Sequence, residues 1–378
     1  MKRASTTTLA AALALGLAAA AEAQDIVRLR SGTEVKAKVT AMNSQSVTYS
    51  EGAGKISTAK KEDVASVELG DKPPSMGKAD AAMAASQYDK AINNYGPALE
   101  EIAQKKAREL HKQYVIFQWA QALALKGAPG EALDKYRQLR NECGDCWLRA
   151  DSFLRSLELA KVKGGDAHEN ILKEMKGEPE PVGSQAELEL AKLKYTAGEY
   201  DAARVGFDKV AGNAASPFAG DAKLFSLRCV RGLKKMDELE GACKRILEEK
   251  TNNPPALVQA AGAWMADLQL KKGEKDKTKW RDILMVCVQA IALGPPAGKE
   301  EGEDYALALL VGAKCYVLLG NANEKAEAKE EYKQRATAYL TEIKRAYSKS
   351  PLAELATKEL VALGAAEAPK DAPKGPNK

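Results

Sequence analysis

The chain has 378 residues, a formal net charge of +5, 45% apolar residues and only 6% aromatics. So small a basic excess, spread along the chain, is a solvated surface and not the clustered footprint of a nucleic-acid binder, and an Ala-rich, aromatic-poor core suits stacked helices. Two histidines, His111 and His168, without Cys or carboxylate at metal-ligand spacing, and no Gly-rich phosphate loop, nucleophile elbow or HExxH helix, leave no metal, cofactor or catalytic residue to assign.

Residues 1–23 read as an export signal. Lys2 and Arg3 form the basic start, Leu9 to Ala21 the apolar stretch, and Ala21-Glu22-Ala23 the small-x-small cleavage site, with cutting before Gln24. The protein is therefore expected to be exported, periplasmic or secreted. The apolar run is shorter than a membrane span, and no later segment is expected to reach the roughly 20 apolar residues a span needs.

Residues 24–70 change to a period of two. Val35, Ala37, Val39 and Ala41 alternate with Lys36, Lys38 and Thr40, which predicts a strand with one buried face, and four shorter strand-like pieces flank it: Ile26 to Arg30, Ser46 to Ser50, Lys55 to Ala59 and Val64 to Leu69. The run from Asp25 to Ser50 resembles the opening of SH3-like and Sm-like barrels, which implies a small five-stranded, barrel-like domain. Sm-like domains often bind nucleic acid, a role that export argues against; a sheet that caps the first helical hairpin is the alternative reading.

Residues 71–77, with Pro73-Pro74, form a linker, and helices are expected over 78–363. The run Gly177-Glu178-Pro179-Glu180-Pro181 is the strongest break and makes 177–184 a candidate hinge. Pro97 falls inside a helix and should kink it. Residues 364–378 are Ala-, Pro- and Lys-rich with nothing to bury, the composition of a disordered tail.

A single pattern recurs across the helical region. Ala191 and Ala203 sit twelve apart across Gly198-Glu199-Tyr200-Asp201, where small residues let two antiparallel helices approach, and Phe207 and Val210 continue one apolar stripe from Ala203. Ala79, Ala91, Tyr95 and Ala98 repeat the arrangement, as do Ala120, Ala132, Tyr136 and Leu139. Weaker copies centre on Ala167, Ala242 and Ile283, with anchors 35 to 41 residues apart. This pattern resembles the tetratricopeptide repeat family, whose period is roughly 34 residues. The alanines match its small interhelix positions, Tyr95, Tyr136 and Phe207 its late aromatic, and Pro217, Pro254 and Pro295 its inter-repeat proline. The usual early Trp is missing from most copies. The resemblance implies a mostly α chain, an α-solenoid of about six hairpins.

By analogy with that family, the first helix of each hairpin lines a groove for protein or peptide partners. The groove candidates are Phe117 and Gln121, then Leu188, Lys192 and Tyr195, then Leu227, Arg231 and Lys234. Lys192, Arg231 and Lys234 together would form a basic strip for an acidic partner. The expected function is a non-catalytic scaffold in a cell-envelope assembly.

Six cysteines in an exported chain permit three bridges. Cys143 and Cys146, in Cys-Gly-Asp-Cys, are close enough for a local disulfide. Cys229 and Cys243 are expected to face one another across a turn, and Cys287 and Cys315 to meet between stacked hairpins. The other readings are a redox-active Cys143/Cys146 pair, which would make the chain a redox or cofactor-carrying protein, and reduced cysteines packed as small apolar side chains.

Overall fold

The computed structural model describes residues 24–52, 55–273, 275–295 and 302–365; the expected export signal and nearly all of the expected tail lie outside the described residues. The chain divides into two compact units between Glu178 and Pro179.

Unit 1 begins with β1 (Asp25–Leu29), β2 (Glu34–Met42), β3 (Ser46–Ser50), β4 (Ile56–Lys60) and β5 (Val64–Glu68). The expected five strands are present as one antiparallel sheet in the order β4-β3-β2-β1-β5, but the sheet is open, not closed into a barrel. The reason is a second layer. The inward side chains Val27, Ala37, Val39, Val47 and Tyr49 pack on Ile116, Phe117, Ala120 and Tyr136 from the following helices and on Trp147 from the turn after Glu142, which cover the face that barrel closure would otherwise bury. The alternation in β2 also breaks before its end. The β2–β3 register shifts between Val39 and Ala41, so Ala41 turns to solvent and Met42 is buried.

Helices follow: α1 (Pro74–Ala84), α2 (Tyr88–Ala103), α3 (Leu110–Lys126), α4 (Pro129–Glu142), α5 (Arg149–Lys163) and α6 (Ala167–Met175). Proline at the first turn opens α1 and α4, where its missing N–H costs nothing. Gly127, at φ 88°, ends α3 in the left-handed conformation that a side chain disfavours. Helix α2 runs as one element through Pro97.

A buried polar clamp ties the sheet, Gly70 just after β5, and α3 together. Asp25, 1% exposed, accepts hydrogen bonds from Val39 N (2.7 Å), Gly70 N (2.6 Å) and both terminal nitrogens of Arg108 (2.8 and 2.5 Å). Arg108 also donates to the carbonyls of Val39 and Gly70, and buried His111 donates from Nε2 to Gly70 O at 2.9 Å. His111 is thus a structural donor at the foot of α3.

Unit 2 holds α7 (Val182–Thr196), α8 (Tyr200–Ala211), α9 (Ala219–Gly232), α10 (Met236–Glu248), α11 (Pro255–Gly273), α12 (Trp280–Ala292), α13 (Gly302–Ala322), α14 (Ala326–Ala346) and α15 (Pro351–Ala362). Successive helices pair antiparallel as hairpins, the tetratricopeptide-like arrangement that the alanine spacing implies. Ala191, Ala203, Phe207 and Val210 are all buried in one cluster on the α7–α8 seam. The closest approach there lies at Gly206, where an added Cβ would sit 2.9 Å from that of Ala191; α11 and α12 repeat the device with Gly262 and Ala290 at 3.0 Å.

That contact makes a prediction. Gly206→Ala should lower stability by about 1–3 kcal/mol through overpacking, and Ala191→Gly in the same chain should restore most of the loss. Urea denaturation of the wild type and the two variants checks it; an unchanged midpoint in Gly206→Ala would show that the seam has room to spare.

One helix corrects the sequence reading. Helix α13 is long and apolar enough to cross a membrane, with a mean hydropathy of 1.5, yet 67% of that stretch is buried inside the protein. It is apolar all round because α11, α12, α14 and α15 all pack on it.

Candidate partner-binding surface

In unit 2 the first helices of successive hairpins, α7, α9, α11 and α13, share a network of rings and charges. Phe225 on α9 is its centre. Lys192 Nζ of α7 stands 5.1 Å from the Phe225 ring centre and the Arg228 guanidinium 4.9 Å from it, while Tyr195 meets the ring edge-on at 5.8 Å. The next turn of α9 repeats the arrangement with Arg231, 5.8 Å over the Trp264 ring of α11. Such contacts are worth about 0.5–1 kcal/mol each at exposed sites and more when desolvated.

Asp304, in the first turn of α13, anchors these groups from below. Its Oδ2 accepts from Arg228 at 2.8 Å and its Oδ1 from Trp264 Nε1 at 2.9 Å, with Arg231 at 4.0 Å. The side chains of Arg228 and Asp304 are 9% and 7% exposed, that of Arg231 42% and that of Lys192 31%. Lys192 also pairs with Glu189 at 3.1 Å. Lys192, Arg228 and Arg231 against Glu189 and Asp304 leave the patch with one net positive charge. Burial pushes the Tyr195 hydroxyl above its ordinary pKa, and the nearby Arg228 charge pulls the other way.

Of the residues expected to line a groove, Lys192, Tyr195 and Arg231 are on this surface. Leu227 is half-buried against the α9–α11 core. Leu188 is core, 3% exposed, because it faces the α7–α8 seam with Ala191. Phe117 is also core, 7% exposed, because the sheet of unit 1 covers its side of α3 and Tyr136 meets it edge-on; Gln121 is half-buried one turn further on. Lys234 is not on α9 at all. The helix ends at Gly232, and Lys234 occupies the turn at φ 57°. Sequence reasoning missed Phe225, Arg228, Trp264 and Asp304. The three-residue spacing of Phe225, Arg228 and Arg231 was the available signal for one helix face; nothing local marks Asp304, 76 residues from Arg228.

All six cysteines carry free thiols. Cys143 and Cys146 are brought together at the α4–α5 turn, and Cys287 and Cys315 share the core of unit 2 closely enough for one to raise the other's pKa. Cys229 and Cys243 do not face one another: Cys229 packs into the α7–α8 cluster and Cys243 into the α11 cluster. Among the described residues no group of three or more His, Cys, Asp or Glu side chains could hold a metal ion.

No family model matches the chain, and no curated protein matches it. Similar solved structures include PilW, described as a widely conserved type IV pilus biogenesis factor, at 15% identity over 65% of this chain and 98% of that one, with a TM-score of 0.38. A tetratricopeptide repeat protein from Parabacteroides merdae is similar at 17% identity over 76% of this chain and 96% of its own, with a TM-score of 0.33. The TPR2AB domain of yeast Sti1, in its pHSP90 complex, is similar at 17% identity over 62% and 96%, with a TM-score of 0.25.

Proposed function

We propose that this chain is a non-catalytic, exported scaffold that holds protein partners in a cell-envelope assembly, and that the α7–α9–α11 face takes an extended acidic segment. The observation that carries the reading is the pair of cations held over aromatic rings, Lys192 on Phe225 and Arg231 on Trp264. Rings that fix a side chain in place lower the entropy lost on binding, and an Arg engaged through its face keeps edge N–H donors for an incoming carboxylate. Export rests on the pattern of residues 1–23, and a hinge at 177–184 would let the two units engage partners independently.

The test uses a fluorescent Glu/Asp-rich peptide and a Lys-rich control. The wild-type chain should bind the acidic peptide with a marked salt dependence, and the double variant Lys192→Glu/Arg231→Glu, folded by circular dichroism, should bind it about tenfold more weakly or worse. Equal binding of both peptides, or an unchanged affinity in the double variant, would reject the acidic partner.

A further inference from the structure

The Cys143–Cys146 loop belongs to unit 1, and its two sulfurs differ in a way that a static cross-link does not need. Cys143 follows the last turn of α4 and is half-buried, whereas Cys146 is 3% exposed. Gly144, at φ 53°, turns the chain sharply, and Cys146 N donates to Gly144 O at 3.1 Å. The two sulfurs lie within hydrogen-bonding reach of one another.

The loop is clamped on several sides. Ser44 N of the β2–β3 turn donates to Asp145 Oδ1 at 3.0 Å. Arg149 donates to Gly144 O at 3.0 Å and to Arg140 O at 2.9 Å, and Lys61 donates to Trp147 O at 2.5 Å. Two cations, Arg149 and Lys61, therefore stand around the buried sulfur at the start of α5.

We propose that Cys143 and Cys146 form a thiol–disulfide exchange pair, with Cys143 the sulfur that meets a partner and Cys146 the buried sulfur that resolves or leaves. The co-reactant is a protein or glutathione-class thiol/disulfide. In the oxidising direction the Cys143 thiolate attacks one sulfur of the co-reactant's disulfide and expels a thiolate. The Cys146 thiolate then attacks Cys143 Sγ and expels the second thiolate. Two electrons pass to the co-reactant, the Cys143–Cys146 bond forms, and the two thiol protons go to solvent. In reverse, an incoming thiolate attacks Cys143 Sγ and Cys146 leaves; a second thiolate then cleaves the mixed disulfide, restoring the dithiol.

The surroundings suit Cys146 as the leaving sulfur, while half-burial against full burial, not acidity, makes Cys143 the sulfur that a co-reactant reaches. The Cys143 hydrogen bond draws the Cys146 pKa down; burial opposes this, and the Leu148 N–H, Arg149 and Lys61 assist it, so the net effect is a better leaving group. The neighbouring Cys146 sulfur, then burial, pushes the Cys143 thiol up. At the remaining cysteines burial outweighs any such help. Burial pushes Cys229 to about 11 and Cys243 and Cys315 to about 12, and it holds Cys287 well above the ordinary thiol range, so the reactivity is confined to one loop.

The experiment is a glutathione redox titration of the full chain, quenched in acid and read by peptide mass mapping. The wild-type protein should pass between dithiol and Cys143–Cys146 disulfide within the range where glutathione itself changes, without accumulating an adduct. Cys146→Ser should trap glutathione on Cys143, and Cys143→Ser should be modified at Cys146 about tenfold more slowly or less. As a check free of mutation, brief alkylation of the native dithiol should mark Cys143 before Cys146. A wild-type pair that stays bridged or stays reduced throughout, or an adduct formed on Cys146 as fast as on Cys143, would overturn the assignment.

Discussion

Arg108→Ala should destabilise unit 1 by about 3–5 kcal/mol, the cost of leaving a buried carboxylate without its charge partner. Asp25 would keep the Val39 and Gly70 N–H donors but lose both guanidinium bonds at the point where the sheet, Gly70 and α3 meet. Removing both charges, as Asp25→Ala/Arg108→Met, should cost less than removing Arg108 alone, because no buried charge is then stranded. Hydrogen exchange would locate the effect: amides of β1, β2 and the first turn of α3 should exchange faster, and those of unit 2 should not change. The clamp also predicts a pH dependence. Burial pushes the Asp25 carboxyl up, but the Arg108, Val39 and Gly70 hydrogen bonds and the Arg108 charge outweigh it and hold the pKa below the usual 3.8. A depressed carboxylate contributes stability that is fully present above that ordinary value and is lost as pH falls through the lower folded value. Acid unfolding of the wild type should therefore steepen below about pH 4, and the double variant should lack that component; identical acid limbs would contradict the clamp.

Asp304→Ala is expected to have an effect of similar size in unit 2, about 3 kcal/mol. The change takes the Asp304 partner from Arg228, whose side chain is 9% exposed, and removes the acceptor of the buried Trp264 N–H. Asp304→Asn should fall between, since an amide oxygen can still accept from Trp264 but carries no charge for Arg228. Tryptophan fluorescence and hydrogen exchange of α9, α11 and α13 would read the loss. Wild-type exchange in Asp304→Ala would mean that the α7–α9–α11 face does not depend on its anchor.

How legible these features are depends on sequence distance. The strands stand out because Val35, Ala37 and Val39 alternate with lysines, and the α7–α8 seam because Ala191 and Ala203 bracket a Gly-containing turn. The register shift in β2 leaves no trace, since Thr40, Ala41 and Met42 fit either face. Closure of the sheet cannot be read from 45 residues whose cover, Ile116, Phe117 and Trp147, arrives much later in the chain. For the same reason Phe117 has the spacing of a groove residue and is core. Arg108 and Asp25 lie 83 residues apart, and Arg228 and Asp304 76, so neither buried pair has a local signature. The spacing of Lys234 from Arg231 fits a helix face, but by Lys234 the chain has entered the left-handed turn. The length of α13 is masked in the sequence because Glu303, Asp304 and Lys314 interrupt an otherwise apolar stretch.

A photo-crosslinking amino acid placed in turn at two positions tests the proposed docking face most directly. Tyr195 lies on α7 within the ring-and-cation network, and Val205 on α8 is 73% exposed outside it. In intact cells the probe at Tyr195 should capture a discrete protein partner that Lys192→Glu/Arg231→Glu abolishes, and the probe at Val205 should not capture it. Capture from Val205 alone, or from both positions regardless of the charge reversal, would contradict a scaffold that binds through its first helices.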